Sequence, residues 1–223
     1  MSEEKESKLK PIINPFLHNL DAMEESMDIL MGMTWALAKA AREEHLKILE
    51  KYGTVIEEDE DSKKYEIPNK NSRETLQKKR KQTRAKRAQI LLPRLFLISF
   101  VSEYDAFLGN LIVAVFNRRP ELLKSADKVL SFAELMEFES LEEAKNSLLE
   151  IEVENILRKS HSDQFTWMEN RFSIKLREKL DVWPTFIELT ERRNLFVHTD
   201  GVVTSQYLKV CSNHKVEIGN IKQ

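Results

Sequence analysis

The sequence has little cysteine, glycine or proline, and each shortage excludes a class of protein. Cys211 is the only cysteine among 223 residues, so no internal disulfide can form, and a lone thiol fits a reducing compartment such as the cytoplasm. The five glycines form no phosphate-binding loop, and the five histidines and one cysteine have no metal-ligand spacing. We therefore expect neither a cofactor nor a metal site.

The chain also lacks a strong net charge and an uninterrupted apolar run. Its formal net charge is −2, so binding of nucleic acid must depend on a local patch. The most apolar stretch, 90–116, is interrupted by Arg94, Glu103 and Asp105, which favours a buried helix over a membrane span. Residues 1–10 are charged and lack the apolar core of a signal sequence. We expect a cytoplasmic protein that does not bind membranes.

Helix-forming residues fill most of the chain. Charged residues make up 32% of it, and alanine, leucine, glutamate, lysine and arginine occupy long segments with few helix breakers. We predict an all-α protein with a single helical domain over 1–223. Its first element is a long amphipathic helix over 15–52, which begins near Pro15 and ends at Gly53. The apolar stripe of this helix consists of Met23, Met27, Leu30, Met31, Trp35, Ala38 and Leu46.

Residues 53–71 read as a flexible acidic loop, because an acidic run over 57–61 is followed by turn formers such as Pro68. A second helical tract follows over 72–117, with a kink or interruption expected at Pro93. Capping-box patterns predict helix starts at Ser131 and Ser140. The remaining predicted elements are a short turn at Pro120, helices over about 162–172 and 184–199, and a helix or strand near 205–210.

One motif near the end of the predicted helix 184–199 carries candidate chemistry. Arg193 is followed by Asn194 and, five residues after Arg193, by His198. At 100° per residue, Arg193 points into the middle of the apolar arc of this helix, with Asn194 and His198 to one side. A guanidinium on an apolar face is costly unless it is paired or lines a polar cleft.

Two interpretations follow for this motif. In the structural one, Arg193 forms a salt bridge to Glu103 or Asp105, and His198 is favoured at a helix C-terminus by the macrodipole. In the functional one, His198 transfers protons near neutral pH, Arg193 stabilises a charged phosphate, and Asn194 orients the imidazole or the substrate. The functional interpretation requires both an acid and a base, which a two-fold dimer supplies from two motifs across one cleft. It therefore predicts a homodimer.

The motif at 193–198, at the end of a late helix that follows a very apolar central helix, resembles the HEPN superfamily of helical proteins. The segments 118–124 and 191–201 are similar to stand-alone bacterial members, and the likeness covers about 90–208 within a HEPN-like core of about 72–212. It implies a helical bundle, here with a long N-terminal helix, that dimerises through the motif helices. It also implies metal-independent cleavage of RNA to 2′,3′-cyclic phosphate and 5′-hydroxyl ends.

By that likeness, Arg193 and His198 are the catalytic pair and Asn194 the polar accessory, and Glu103 is the candidate for an additional helix acid found in some members. Many relatives are toxins or effectors of antiphage defence and abortive infection, which implies an RNA substrate and an antitoxin or sensor protein as partner. Asp200 stands where toxins with a nucleotidyltransferase antitoxin carry a tyrosine. Other members are non-catalytic modules that bind a partner protein or a nucleotide, and this alternative stays open.

The basic run over 73–87 is the other feature with functional potential. It is either a solvated helix face, partly neutralised by the acidic run over 57–61, or a track for the phosphate backbone of RNA. No aromatic residue interrupts the run, so stacking of bases is not expected there.

Overall fold

Helices dominate the computed structural model, which describes residues 9–59, 62–125 and 130–216. Two long helices, α1 (Lys10–Tyr52) and α2 (Asn69–Arg118), are separated by strands β1 (Thr54–Glu58) and β2 (Lys63–Glu66). A 3₁₀ turn at Pro120–Ser125 leads to the shorter helices, which are α3 (Phe132–Leu135), α4 (Leu141–Leu157), α5 (His161–Phe172), α6 (Trp183–His198) and α7 (Ser205–Asn213). The predicted all-α character is confirmed.

Prolines interrupt the long helices less than the sequence suggests. Helix α1 begins at Lys10, before the predicted start, and contains Pro15. The carbonyl of Leu9 accepts hydrogen bonds from the N–H groups of Ile12 and Ile13 at 2.9 and 3.0 Å, which starts the helix upstream of the proline. Helix α2 likewise continues through Pro93, so of the kink or interruption expected there the interruption is wrong and the kink stays a prediction. A proline removes one backbone hydrogen bond, which neighbouring turns of a long helix can tolerate.

The predicted acidic loop contains an antiparallel hairpin. Thr54 pairs with Glu66 and Glu58 with Lys63, with an irregularity between Val55 and Glu57. Salt bridges join the strands, with Lys63 Nζ 2.5 Å from a Glu58 carboxylate oxygen and Lys64 Nζ 3.0 Å from one of Glu57. Opposite charges on facing residues favour the pairing of two strands. The acidic run alone predicted a loop, because the lysines that face it lie in the following strand. Glu60 and Asp61, which belong to the predicted loop, lie outside the described residues.

Gly53 is required where α1 ends. A Cβ at this position would lie 2.5 Å from the Leu49 carbonyl oxygen and 2.8 Å from the ring of Tyr65, which is closer than van der Waals contact allows. The Gly53 N–H donates to that same Leu49 carbonyl at 2.8 Å. The predicted end of the first helix at Gly53 is therefore confirmed.

The described residues divide into two compact units. The bundle unit comprises residues 9–20, 97–125 and 130–216, and the coiled-coil unit comprises residues 21–59 and 62–96. The single domain expected from the sequence stays a prediction.

In the coiled-coil unit, the least exposed residues repeat at alternating intervals of four and three, which is the period of a coiled coil. On α1 they are Met27, Met31, Thr34, Ala38, Ala41, His45 and Ile48. On α2 they are Thr75, Lys78, Gln82, Ala85, Gln89, Leu92 and Phe96. Glu44 fixes the antiparallel register, because its carboxylate lies 3.0 Å from the amino groups of both Lys78 and Lys81. Hydrogen bonds from the two lysines lower the pKa of Glu44.

We call these two sets of residues the seam of the coiled-coil unit. The position of the seam explains which apolar residues of α1 are exposed. Trp35 lies beside the seam position Thr34 and is 64% exposed, and Leu46 is 39% exposed. Both belong to the stripe predicted from a period of 3.6, whereas the observed seam follows a period of 3.5. The prediction that Trp35 belongs to the packed stripe of the first helix is therefore wrong.

The core of the bundle unit is formed by α2, α4 and α5. Buried residues of this core are Leu108, Ile112, Phe116, Leu149, Val153, Ile156 and Met168. A smaller cluster joins Leu195 of α6 to Tyr207 and Cys211 of α7. Within it, the Tyr207 hydroxyl donates to the buried Glu188 carboxylate at 2.6 Å, so the acid inside α6 is satisfied.

The apolar half of α2 is buried only at its C-terminal end. Val101 and Phe116 are buried, but Ile90 is 60% exposed and Leu95 is 58% exposed. The helix is long and apolar enough to cross a membrane, and 22% of its most apolar 18-residue window is buried. The prediction of a buried helix over 90–116 is therefore correct for its second part and wrong for its first.

Several local predictions are confirmed. The Ser131 hydroxyl accepts from the Glu134 N–H at 3.2 Å and the Glu134 carboxylate accepts from the Ser131 N–H at 2.7 Å, which completes a capping box. Ser140 caps α4 by accepting from the Glu143 N–H at 3.1 Å. The carboxylate of Glu143 bonds to the Glu139 N–H instead of the Ser140 N–H, so the second box is only half formed.

Two phenylalanines provide a matched test of the bundle core. Phe116 is fully buried among α2, α4 and α5, whereas Phe132 at the start of α3 is 77% exposed. We expect Phe116→Ala to lower the free energy of unfolding by about 3–5 kcal/mol, because it removes buried surface and leaves a cavity. Phe132→Ala should change it by less than about 0.5 kcal/mol. Urea unfolding followed by circular dichroism measures both, and equal effects would contradict the assigned core.

Candidate functional site

Helix α6 places the motif arginine on its partly exposed side. Ile187 and Leu195 are buried on the other side, and Pro184 occupies the first turn, where a missing N–H costs nothing. One turn before and one turn after Arg193, Leu189 is 37% exposed and Val197 is 49% exposed. The predicted apolar setting of the guanidinium is thus present.

Arg193 is held by an acid on α2 and by its neighbour on α6. Its Nη2 lies 3.4 Å from Oδ2 of Asp105, and its Nη1 donates to Oδ1 of Asn194 at 3.1 Å. The side chains of Arg193 and Asp105 are 23% and 26% exposed. The Nε atom of Arg193 is buried and has no hydrogen-bond partner among the described residues. The guanidinium is therefore oriented by two partners, within a side chain that is partly exposed.

Glu103, the acid predicted for the site, does not pair with Arg193. Its Oε1 accepts a hydrogen bond from Asn19 Nδ2 of α1 at 2.7 Å. Residues two apart on a helix differ in direction by about 200°, so the side chains of Glu103 and Asp105 point to different sides of α2. The geometry favours Asp105, the second acid considered in the sequence, as the partner of the arginine.

His161, at the start of α5, completes the cluster. Its Nε2 lies 3.1 Å from Oδ1 of Asp105, and its side chain is only 8% exposed. The rings of Tyr104 and Phe186 pack beside it, with centroids 5.9 and 5.7 Å away. One carboxylate thus bridges an imidazole and a guanidinium through its two oxygens. Sequence reasoning missed His161, because the fold alone brings residues so far apart in the chain together.

Burial also changes the acidity of two groups near this cluster. Desolvation raises the pKa of the Tyr104 hydroxyl well above its usual range, and the negative charge of Asp105 adds to the effect. Burial raises the pKa of Glu191, against a smaller lowering by His161. Tyr104 therefore stays neutral at physiological pH.

His198 lies apart from this cluster within one chain. It is the last residue of α6 and is exposed, and its side chain makes no hydrogen bond or ion pair within the described part of the chain. Residues five apart on a helix lie about 140° from each other, so His198 and Arg193 point to different sides. Asn194 and His198 are one turn apart, as the spacing predicts. The structure brings together Arg193, Asn194, Asp105 and His161, but neither His198 nor Glu103.

An apolar groove adjoins the cluster. Its volume is about 210 Å³, and its lining includes Phe100 and Tyr104 of α2 and Phe186 and Leu189 of α6. Leu189 precedes Arg193 by one turn, so one end of the groove lies next to the guanidinium. Among residues 9–59, 62–125 and 130–216, no group of histidine, cysteine, aspartate and glutamate side chains has the arrangement of a metal site.

Comparisons with protein-family models, with curated proteins and with solved structures give no match to this chain. The site is therefore interpreted from its own geometry.

The link between Asp105 and Arg193 can be measured directly. We expect a double-mutant cycle of Asp105→Ala and Arg193→Ala to give a coupling energy of about 0.5–1 kcal/mol, as for a partly exposed ion pair. The matched cycle of Glu103→Ala and Arg193→Ala should give a coupling energy near zero, because Glu103 contacts Asn19 instead. Urea unfolding provides the energies. A larger coupling for Glu103 than for Asp105 would contradict the assigned pairing.

Proposed function

We propose that this chain is a metal-independent endoribonuclease of the HEPN type that acts as a homodimer and leaves 2′,3′-cyclic phosphate and 5′-hydroxyl ends. The observation that carries the proposal is the state of the motif arginine. Arg193 is oriented by Asp105 and Asn194 and is still 23% exposed, which suits a guanidinium that must meet a substrate phosphate.

The chemistry assigns one task to His198 and another to Arg193. The exposed imidazole of His198 takes the proton from the ribose 2′-hydroxyl, whose oxygen then attacks the adjacent phosphorus. A second imidazole gives a proton to the departing 5′-oxygen, and Arg193 stabilises the charge on the phosphorus oxygens in between. Asp105 is a positioning residue, because it contacts the guanidinium and not the substrate. The products are a cyclic phosphate and a free 5′-hydroxyl, so no metal-bound water is needed.

A dimer supplies the second imidazole. Leu189 and Val197 flank Arg193 on the partly exposed side of α6, and apolar residues around a polar centre are typical of interface cores. A two-fold axis close to α6 makes the same patch contact itself and brings two copies of His198 to one cleft. The 140° separation of Arg193 and His198 along one helix is then an advantage, because each copy can offer its histidine to the arginine of the other.

The biological setting belongs to the same proposal. An RNA-cleaving protein of this type fits a cytoplasmic toxin or an antiphage defence effector, restrained by an antitoxin or triggered by a sensor protein. The features that support it are the exposed His198 and the oriented Arg193, each within the motif of the predicted family.

One observation favours a second candidate function. Arg193 already has a carboxylate partner within its own chain, as a purely structural arginine would. A non-catalytic helical module that binds a partner protein or a nucleotide requires no more than this ion pair. The two candidates differ in what they require of His198, which only the nuclease uses.

The purified protein should degrade RNA in the presence of a chelator, with products that carry cyclic phosphate ends. We expect His198→Ala to lower the rate by about 10²-fold or more, because a general acid–base group is lost. His18→Ala is the matched control, since His18 is also exposed but lies on α1 outside the cluster. Mass spectrometry of a short RNA identifies the ends. Equal activity of wild type and His198→Ala would exclude the nuclease.

Mixed dimers test whether two copies share one cleft. When wild type is mixed with an excess of His198→Ala and the subunits exchange, activity should fall as the square of the wild-type fraction, because a heterodimer lacks one of the two imidazoles. His18→Ala in the same mixture should leave activity proportional to total protein. A linear fall with His198→Ala would contradict the shared cleft.

A further inference from the structure

The first half of α2 separates its arginines from most of its lysines. At 100° per residue, Arg73, Arg80, Arg84 and Arg87 fall within an arc of about 60°, and we call these four residues the arginine row. Lys79 and Lys86 point about 120° away from the middle of this arc. The basic run is therefore not a uniformly charged surface, because the guanidinium groups share one side of the helix.

The arginine row has no acidic partners within the described part of the chain. All four residues are exposed, and none of their side chains makes a hydrogen bond or an ion pair there. The nearby Lys78 and Lys81, in contrast, share the carboxylate of Glu44 on α1 at 3.0 Å. These two lysines thus share one acidic partner, whereas the arginine row is available to a ligand.

The local charge is high although the chain as a whole is slightly acidic. Residues 73–87 contain eight basic residues and one acidic residue, Glu74, within a chain of net charge −2. Unpaired like charges along one helix face repel each other and weaken the helix. A bound polyanion would relieve this repulsion.

The shape of the surface fits a phosphate backbone. A groove of about 330 Å³ is lined by Gln77, Arg80, Lys81 and Arg84. The arginine row extends over about 21 Å along the helix, which is long enough for several phosphates in succession. Guanidinium groups bind phosphate oxygens through two parallel hydrogen bonds, whereas lysine acts as a point charge. No aromatic residue lies among residues 73–87, so bases have no side chain on which to stack.

We propose that the arginine row is an RNA-binding surface of the coiled-coil unit that contacts the phosphate backbone without reading the bases. The choice of RNA among polyanions rests on the proposed nuclease function. The surface itself rests on the unpaired arginines and the groove, which belong to the coiled-coil unit alone.

The test compares two pairs of charge reversals with the same change in net charge. Arg80→Glu with Arg84→Glu alters the arginine row, and Lys79→Glu with Lys86→Glu alters the opposite side of α2. Both pairs are made in the full-length protein with His198→Ala, so that RNA stays intact. Fluorescence anisotropy with a labelled 20-nucleotide RNA measures affinity at several salt concentrations.

We expect the arginine pair to weaken RNA binding at least tenfold, and to reduce the slope of log affinity against log salt by about one per arginine. The lysine pair should change affinity less than threefold, and an RNA of scrambled sequence should bind the parent protein equally well. The proposal would be overturned if both pairs lost RNA affinity equally or if neither pair lost any. It would also be overturned if the parent protein did not bind RNA. Unchanged circular dichroism confirms that the helices remain folded.

Cleavage of a dinucleotide separates this inference from the proposed function. Arg80→Glu with Arg84→Glu in an otherwise wild-type chain should cleave a dinucleotide at the normal rate, because so short a substrate cannot extend along the row. If the protein cleaves neither substrate but loses RNA affinity on arginine reversal, the nuclease fails and the binding surface stands. If cleavage depends on His198 while arginine reversal leaves affinity unchanged, the binding surface fails alone.

Discussion

The candidate site depends on one carboxylate shared between an imidazole and a guanidinium. Asp105 presents Oδ1 to His161 and Oδ2 to Arg193, and so connects α2, α5 and α6 at one point. A guanidinium on the apolar side of α6 would otherwise pay a desolvation cost without compensation. The ion pair therefore explains how a charged side chain can remain at a helix face that also carries Leu189 and Val197, and why its orientation is fixed before any ligand binds.

A second constraint governs the coiled-coil unit. Small residues at the seam, such as Ala38, Ala41 and Ala85, permit two long helices to lie close together, and Glu44 sets their register through two lysines. With the seam side chains facing α1, the four residues of the arginine row lie exposed on another side of α2. The same heptad pattern that stabilises the helix pair therefore creates its charged outer surface.

Local signals predicted most of the fold, and tertiary contacts account for the errors. Pro184 and the cap at Ser131 determine their helix starts through nearby backbone atoms, so the sequence was sufficient for them. The sequence offered both Glu103 and Asp105 as possible partners of Arg193, because both lie on the central helix. Which of the two pairs with Arg193 depends on how α1 and α6 pack on α2. His161 was not predictable, because nothing in its sequence neighbourhood indicates the acid that it meets.

The exposed indole of Trp35 gives the coiled-coil unit a spectroscopic label of its own. The other two tryptophans, Trp167 and Trp183, both lie in the bundle unit, where Trp183 is buried and Trp167 packs on the core. An indole in water emits at longer wavelength than one surrounded by apolar groups, so red-edge excitation selects the signal of Trp35. Binding of any macromolecule that covers this part of α1 then shifts the emission of Trp35 to shorter wavelength, without chemical modification of the chain.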